Sequence, residues 1–192
     1  MVGAMAKFVE QTEDNIVHRA RTEAYALGQL YELYYERIFR FCVHRLFDKE
    51  IAEDVTSTVF LEVARRIRTF AGRDEQDFGS WLYAIAINQT NSYIRKASRR
   101  RKLLVAATDI IRAKSDESDG NPSEPDWPKL YAAILKLKPQ HQTIITLRFF
   151  ENLPYERIAN IVSIKETTLR VKVHRILNDL RKHLLTVFNG EV

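Results

Sequence analysis

Between Lys165 and Arg175 the sequence carries cations and hydroxyl groups that recur at helical spacing. A helix places them on one face, opposite the apolar residues Leu169, Val173 and Ile176. Guanidinium, ammonium, imidazole and hydroxyl groups on one helix face can hydrogen-bond phosphates and base edges in a major groove. An ordinary solvated helix face is the alternative interpretation. The candidate residues are Lys165, Thr167, Thr168, Arg170, Val171, Lys172, His174 and Arg175, with Arg170 and Thr167 the best placed for base edges.

The segment before this helix predicts how it is presented to a duplex. A short apolar stripe, Tyr155, Ile158, Ala159 and Val162, is separated from the second helix only by the few residues around Ile164. Such a connection is too short for anything but a tight turn. The pattern therefore predicts a helix-turn-helix whose second helix is the recognition helix.

A second group of polar residues lies along the predicted helix that starts at Trp81. Aromatic, amide and hydroxyl side chains at steps of three, four and seven share one stripe, and a basic run from Arg95 to Lys102 follows. Base faces stack on aromatic rings and exposed base edges bond amides, so this stripe suits an unpaired nucleic-acid strand. A role of Trp81 and of Phe78 in the core is the equal alternative. The candidates are Trp81, Asn88, Asn91, Ser92, Arg95, Lys96 and Arg99.

A third candidate surface lies on the helix predicted from Lys49 to Thr69. Its apolar stripe, from Ile51 to Ile67, faces a core, and the opposite side is polar apart from one leucine. A single exposed apolar side chain within a polar face is typical of a protein-binding patch, although a solvated helix with one stray leucine is the alternative. The candidate residues are Glu53, Asp54, Ser57, Leu61 and Arg65.

The sequence lacks the residue patterns that catalysis requires. The sequence has no Gly-rich phosphate loop, no pair of cysteines and no HExxH spacing, and its five histidines never lie three or four apart. We therefore expect no catalytic residue, no metal site and no cofactor. One cysteine, Cys42, suits a reducing cytosol, and no apolar stretch reaches the roughly 20 residues of a membrane span. We expect a cytoplasmic protein without a membrane partner.

The distribution of charge and of helix breakers predicts an all-α chain of two small domains. The formal charge is +5 and the pI about 9.3, but the cations cluster at 95–102 and the acids at 116–126. Serines, acids and three prolines mark residues 106–127 as a flexible linker that lets the domains move independently. Residues 1–21 form an N-terminal extension, 22–105 the first domain and 128–189 the second. Ala71–Gly79 is expected to be a loop, with Ser80 as the N-cap of the helix from Trp81 to Arg101.

The order of these parts resembles the extracytoplasmic-function sigma factors of bacterial RNA polymerase. The matching features are the AEDV motif at 52–55, Phe78-x-x-Trp81-Leu82 with Ile85, Ala86 and Asn88, and the C-terminal helix-turn-helix. The likeness extends over Tyr31–Phe70, Phe78–Arg101 and Leu137–Leu184. It implies a sigma region 2 helical bundle at 22–105, which binds core polymerase and the minus-ten element. It also implies a region 4 helix-turn-helix at 128–189, which binds the minus-thirty-five element.

The resemblance also implies roles for single residues. Glu53, Asp54, Ser57, Leu61 and Arg65 correspond to the family's polymerase-binding helix, although the usual Gln-Glu pair is Ser57-Thr58 here. The loop from Arg73 to Phe78 corresponds to the loop that holds an everted minus-ten base. The turn has Ser163 and Lys165 where the family has glycine and serine, so we predict either a mildly strained turn or a shifted cap, at a cost of about 1 kcal/mol. Core RNA polymerase, duplex and melted promoter DNA, and an anti-sigma factor are the implied partners.

Two other classes of protein remain open at this point. A helix-turn-helix regulator would act on duplex DNA without binding core polymerase, and a helical adaptor would bind only protein. The stripe from Trp81 to Arg95 argues against both. A regulator needs only the C-terminal unit, and an adaptor needs neither basic cluster.

Overall fold

The computed structural model describes residues 16–107 and 127–188, and within these ranges it is helical without strands. The helices are α1 (Ala24–Leu46), α2 (Lys49–Arg66), α3 (Glu75–Ala107), α4 (Trp127–Lys136), α5 (Pro139–Ile145), α6 (Tyr155–Ile161) and α7 (Glu166–Phe188). A 3-10 turn, Ile67–Thr69, follows α2, and a π-type turn, Thr146–Phe150, extends α5. We call residues 16–107 module one and residues 127–188 module two. None of the described helices combines the length and the apolar character that crossing a membrane requires.

Module one is a three-helix bundle whose core follows the apolar stripes of the sequence. The carboxylate of Asp48 accepts from the Ile51 amide at 3.0 Å and starts α2 directly after α1 ends, so these helices pack antiparallel. Burial extends before the predicted boundary at residue 22, since Val17 and Ala20 are buried. The fully buried side chains contributed by the three helices include Leu30, Tyr34, Ile38, Phe41, Val59, Phe78 and Leu82.

Helix α3 begins six residues earlier than the sequence indicated. The Asp74 carboxylate accepts from the amide of Asp77 at 2.7 Å and caps the helix, so Ser80 lies inside it. The prediction that Ser80 is the N-cap was wrong because Asp74 is an equally good cap. Asp74 is also followed by Glu75 and Asp77, and acidic residues in the first turn interact favourably with the positive end of the helix dipole. The glycine in this added turn, Gly79, leaves room for Arg157 of module two, whose Nη2 lies 3.0 Å from where a Cβ would stand.

Module two packs α4 against α7 and sets the short helices α5 and α6 across them. The apolar stripe predicted for the recognition helix is buried, with Leu169, Val173, Ile176 and Leu180 at most 8% exposed. Gln142 is buried at the start of this module, and its Nε2 donates to the carbonyl oxygens of Leu135 and Leu137. These bonds fix the orientation of the Gln142 amide and leave its oxygen facing module one.

The two modules contact each other directly. The π-type turn lies against α1, and α6 lies against α3. The contacts include an ion pair between Arg40 and Glu151 and ring contacts of His44 with Phe150 and of Phe47 with Tyr131. Residues 40–47 and 142–151 form complementary surfaces that no local pattern predicts, and independent movement of the modules in the free protein stays a prediction. Most of the expected linker, residues 108–126, lies outside the described residues.

Candidate nucleic-acid interface

The recognition face of α7 is exposed as the sequence predicted. Val171 is 52% exposed, and Thr167, Thr168, Arg170, His174 and Arg175 are exposed as well, with Lys172 half-buried. The turn before the helix has Ser163 at φ 54°, in the left-handed region that the family's glycine adopts without strain. The prediction of a strained turn is confirmed. The amide of Ile164 donates to the carbonyl of Ala159 at 3.0 Å, which closes the turn and sets the angle between α6 and α7.

Arg170 has the most defined geometry on this face. Its Nε and Nη2 donate to Glu166 Oε1 at 3.0 and 2.5 Å, and its guanidinium carbon lies 4.6 Å from the centre of the Tyr155 ring. Arg148 lies at the same 4.6 Å from this ring and donates to the Leu153 carbonyl. Tyr155 therefore connects Arg170 to the end of the π-type turn. Glu166 occupies the Nε–Nη2 edge of the planar guanidinium, which leaves the Nη1–Nη2 edge for a second acceptor.

The stripe on α3 is only partly available to a nucleic acid. Phe78 is fully buried, 5.2 Å from the ring of Tyr34 and 5.9 Å from the ring of Phe70, so its assignment to the minus-ten surface was wrong. The physical reason is the early start of α3, which turns Phe78 from a loop residue into a core residue. Trp81 is half-buried and lies 4.8 Å from Phe70. The exposed part of the Trp81 ring remains available for stacking with a base. Arg73, in the preceding segment, is exposed.

The polar residues further along α3 differ in how much of each side chain is exposed. Asn88, Arg95 and Lys96 are exposed, Ser92 is half-buried, and the side chain of Arg99 lies outside the described residues. Asn91 is half-buried, and its Oδ1 accepts from Nη2 of Arg45 at 3.0 Å. This contact makes Asn91 part of the junction between the modules as well as part of the predicted stripe.

The predicted protein-binding patch on α2 is fully displayed. Leu61 is 52% exposed, and Glu53, Asp54, Ser57 and Arg65 around it are exposed. Phe60, the residue before Leu61, is covered by Tyr31 of α1 at a ring distance of 4.8 Å. This ring contact packs α2 against α1 beneath the patch. Glu62 forms ion pairs with Arg65 and Arg66, so part of the positive charge beside Leu61 is compensated within α2.

Sequence reasoning missed Arg45, Gln142 and Glu151, which meet at the junction of the modules. No periodic pattern reveals them, because their partners lie about a hundred residues away along the chain. Cys42 is buried, and burial raises the pKa of its thiol to about 11, so it has the properties of a core residue. Among residues 16–107 and 127–188, no three His, Cys, Asp or Glu side chains are grouped to hold a metal ion.

The modules coincide with two known sequence families. Residues 30–100 match Sigma-70 region 2, and residues 128–180 match Sigma-70, region 4. The chain is 32% identical to the ECF RNA polymerase sigma factor BldN of Streptomyces coelicolor, covering 88% of this chain and 64% of BldN. It is 29% identical to the ECF RNA polymerase sigma factor SigW of Bacillus subtilis, covering 83% of this chain and 89% of SigW.

Solved structures share the arrangement of helices. The sigma factor RpoE, in its complex with the anti-sigma factor NepR from Bartonella quintana, superposes with a TM-score of 0.58 at 21% identity, over 82% of this chain and 95% of that chain. CnrH, in complex with the cytosolic domain of CnrY, gives a TM-score of 0.61 at 15% identity, over 94% and 99%. At such identities the likeness shows the fold alone.

The fold and the two family matches define an all-helical, two-module transcription protein. The family matches together cover well over half of the chain, and they belong to the sigma-70 family. The chain is an extracytoplasmic-function sigma factor. Members of this family are transcription initiation factors rather than enzymes.

Proposed function

We propose that this chain binds core RNA polymerase, directs it to specific promoters and assists the melting of promoter DNA in the cytoplasm. Region 2, residues 22–105, binds polymerase through the patch around Leu61 and binds the minus-ten element through the polar part of α3. Region 4, residues 128–189, binds the minus-thirty-five element through α7, and residues 106–127 connect the two regions. On the basis of the same resemblance, an anti-sigma factor is a further partner that we propose for this chain.

The observation that carries the proposal is the pairing of two nucleic-acid surfaces of different chemistry in one chain. The exposed cations and hydroxyl groups of α7 suit an intact duplex, whereas Trp81, Asn88 and Asn91 suit separated bases. Melting then follows from binding, because bases captured from the separated strand form new interactions in place of those that they had in the duplex. No bond is made or broken by the sigma factor itself.

Run-off transcription tests this proposal most directly. The purified chain, core polymerase and a library of promoter fragments are combined, and transcripts are sequenced from their starts. We expect transcripts from a subset of fragments that share two spaced elements, and none when the chain is omitted. If the chain binds duplex DNA but starts no transcript with core polymerase, it is instead a helix-turn-helix regulator. This is the second candidate function, and the helix-turn-helix of module two is sufficient to support it.

A further inference from the structure

A buried arginine lies at the centre of the junction between the two modules. Arg45, in the last turn of α1, is 1% exposed. Its Nη1 donates to Gln142 Oε1 of module two at 2.6 Å, and its Nη2 donates to Asn91 Oδ1 at 3.0 Å. Both acceptors are neutral amides. Within the described ranges, Arg45 forms no ion pair with a carboxylate.

The environment of Arg45 is unfavourable for its charge. Burial lowers the pKa of the guanidinium to about 10, and Nε is buried without a hydrogen-bond partner among the described residues. A buried cation without an anion has a large desolvation cost that two amide oxygens offset only in part. The junction is also imperfectly filled, because a cavity of about 350 Å³ lies between α3 and α6. Both features reduce the stability that the contacts at this junction give to the packed modules.

Glu151 of module two forms an ion pair with Arg40, which lies five residues before Arg45 on α1. Glu151, whose side chain is 1% exposed, accepts from Nε and Nη2 of Arg40 at 3.3 and 2.9 Å. The ring of Phe150 covers His44, one turn further along α1. Module two therefore places one carboxylate on Arg40 and one amide oxygen on Arg45 of module one. We call Arg40, Arg45 and Asn91 the junction surface.

We propose that the junction surface is a further nucleic-acid site, which binds backbone phosphates of the separated promoter strand once the modules part. In the free chain Glu151 and Gln142 occupy this surface. Asn91 lies on the same stripe of α3 as the exposed Asn88 and Arg95, and its contact with Arg45 makes this stripe adjacent to the junction surface. Guanidinium groups bind phosphate oxygens bidentately, and a phosphate supplies the anion that Arg45 lacks.

The proposal rests on the proposed sigma-factor function and adds a consequence for its regulation. Module two and the DNA strand compete for Arg40 and Arg45, because Glu151 and Gln142 bind these two side chains in the packed chain, whereas Asn91 is bound by Arg45 of its own module. Because linkage is reciprocal, any change that loosens the junction strengthens strand binding, and bound strand loosens the junction by the same factor. An acidic protein segment is the other occupant that this charge would accept, and the experiment below separates the two.

The test uses the full chain and a fluorescent single-stranded 20-mer of mixed sequence, without polymerase. Glu151→Gln should raise the affinity for the 20-mer by about five- to tenfold. Dyes on cysteines introduced at the exposed positions Glu32 and Glu156 should move apart in the same variant. Added to Glu151→Gln, either Arg40→Gln or Arg45→Gln should reverse the gain and lower the salt slope by about 0.7 for each phosphate that the variant no longer binds.

Arg19→Gln in the same background is the matched control, since it removes one charge from a partly exposed arginine that pairs with Glu23 of its own module. If the arginine variants weaken strand binding no more than this control does, or if the dyes do not separate, the proposal is overturned. It is also overturned if polyglutamate binds the Glu151→Gln variant as tightly as the 20-mer. Arg40 is half exposed, so its variant stays informative even if Arg45→Gln unfolds. Wild-type run-off transcription is unaffected by any of these outcomes and tests the proposed function separately.

Discussion

Glu166 and Arg170 form an ion pair one turn apart on the exposed face of the recognition helix, with Arg170 Nη2 at 2.5 Å from Glu166 Oε1. The pair is exposed, so its contribution to folding is small. The ion pair instead affects the direction in which the guanidinium of Arg170 points. The hydrogen bonds to Glu166 and the contact with the Tyr155 ring hold the guanidinium over the exposed face of α7.

This orientation predicts that Arg170 reads sequence. Arg170→Ala should weaken binding to a preferred duplex by about 1–3 kcal/mol and should relax the preference at one base pair. Fluorescence anisotropy on the preferred duplex and on a scrambled one measures both effects. Arg181→Ala, on an exposed position of the same helix, is the control and should weaken both duplexes equally. An equal loss on both duplexes for Arg170→Ala would reassign this residue to phosphate binding.

The patch around Leu61 predicts a separable defect in polymerase binding. Leu61→Asp should abolish co-purification with core polymerase, because a charge replaces the apolar centre of the patch, while the circular dichroism spectrum stays unchanged. Leu33→Asp is the matched control, since Leu33 is 40% exposed on α1, two residues from the Tyr31 that covers Phe60. Retained binding by Leu61→Asp would remove this patch from the polymerase interface.

The sequence predicts what depends on local periodicity and misses what depends on distant partners. The burial of Leu169 and Val173 and the exposure of Leu61 follow from helical spacing alone. The strained turn follows from a serine at a position that favours glycine. In contrast, Arg45 and Glu151 look like ordinary charged residues. Their burial depends on the packing of two modules, and no periodic signal encodes that packing.

The start of α3 shows how a small local error changes the expected function. Two adequate N-caps, Asp74 and Ser80, lie six residues apart, and choosing the second placed Phe78 in a DNA-binding loop. Helix boundaries are the least certain part of a pattern because several polar residues can cap. The tertiary environment decides between them. Here Tyr34 and Phe70 receive the Phe78 ring, which requires that residue to lie inside the helix.

The burial of Phe78 predicts a defect in stability rather than in DNA contact. Phe78→Ala should lower the free energy of unfolding by about 3–5 kcal/mol, because it removes a fully buried ring and leaves a cavity. Urea denaturation followed by circular dichroism measures this. Phe149→Ala is the control, because Phe149 is 52% exposed and its loss should change stability by about 0.5 kcal/mol or less. Unchanged stability together with abolished strand binding would return Phe78 to the DNA surface.

His44 predicts that the junction between the modules weakens in acid. Burial under Phe150 lowers the pKa of His44 below 6.5, Arg40 acts in the same direction, and Glu151 opposes them. The packed state therefore favours neutral His44. Its stabilising effect is fully present above about pH 6.5 and is lost as the pH falls from 6.5 towards the lower pKa of the packed state. We expect the dyes on module one and module two to separate further at pH 5.5 than at pH 7.5.

A variant that cannot take up the proton isolates this effect from other acid-induced changes. His44→Gln should reduce the difference between pH 7.5 and pH 5.5, since glutamine stays neutral in both the packed and the separated state. Burial also lowers the pKa of His141, together with Lys172 and Lys138. His141→Gln is therefore the necessary comparison within module two. If His44→Gln leaves the pH difference intact while His141→Gln removes it, the acid response arises within module two rather than at the junction.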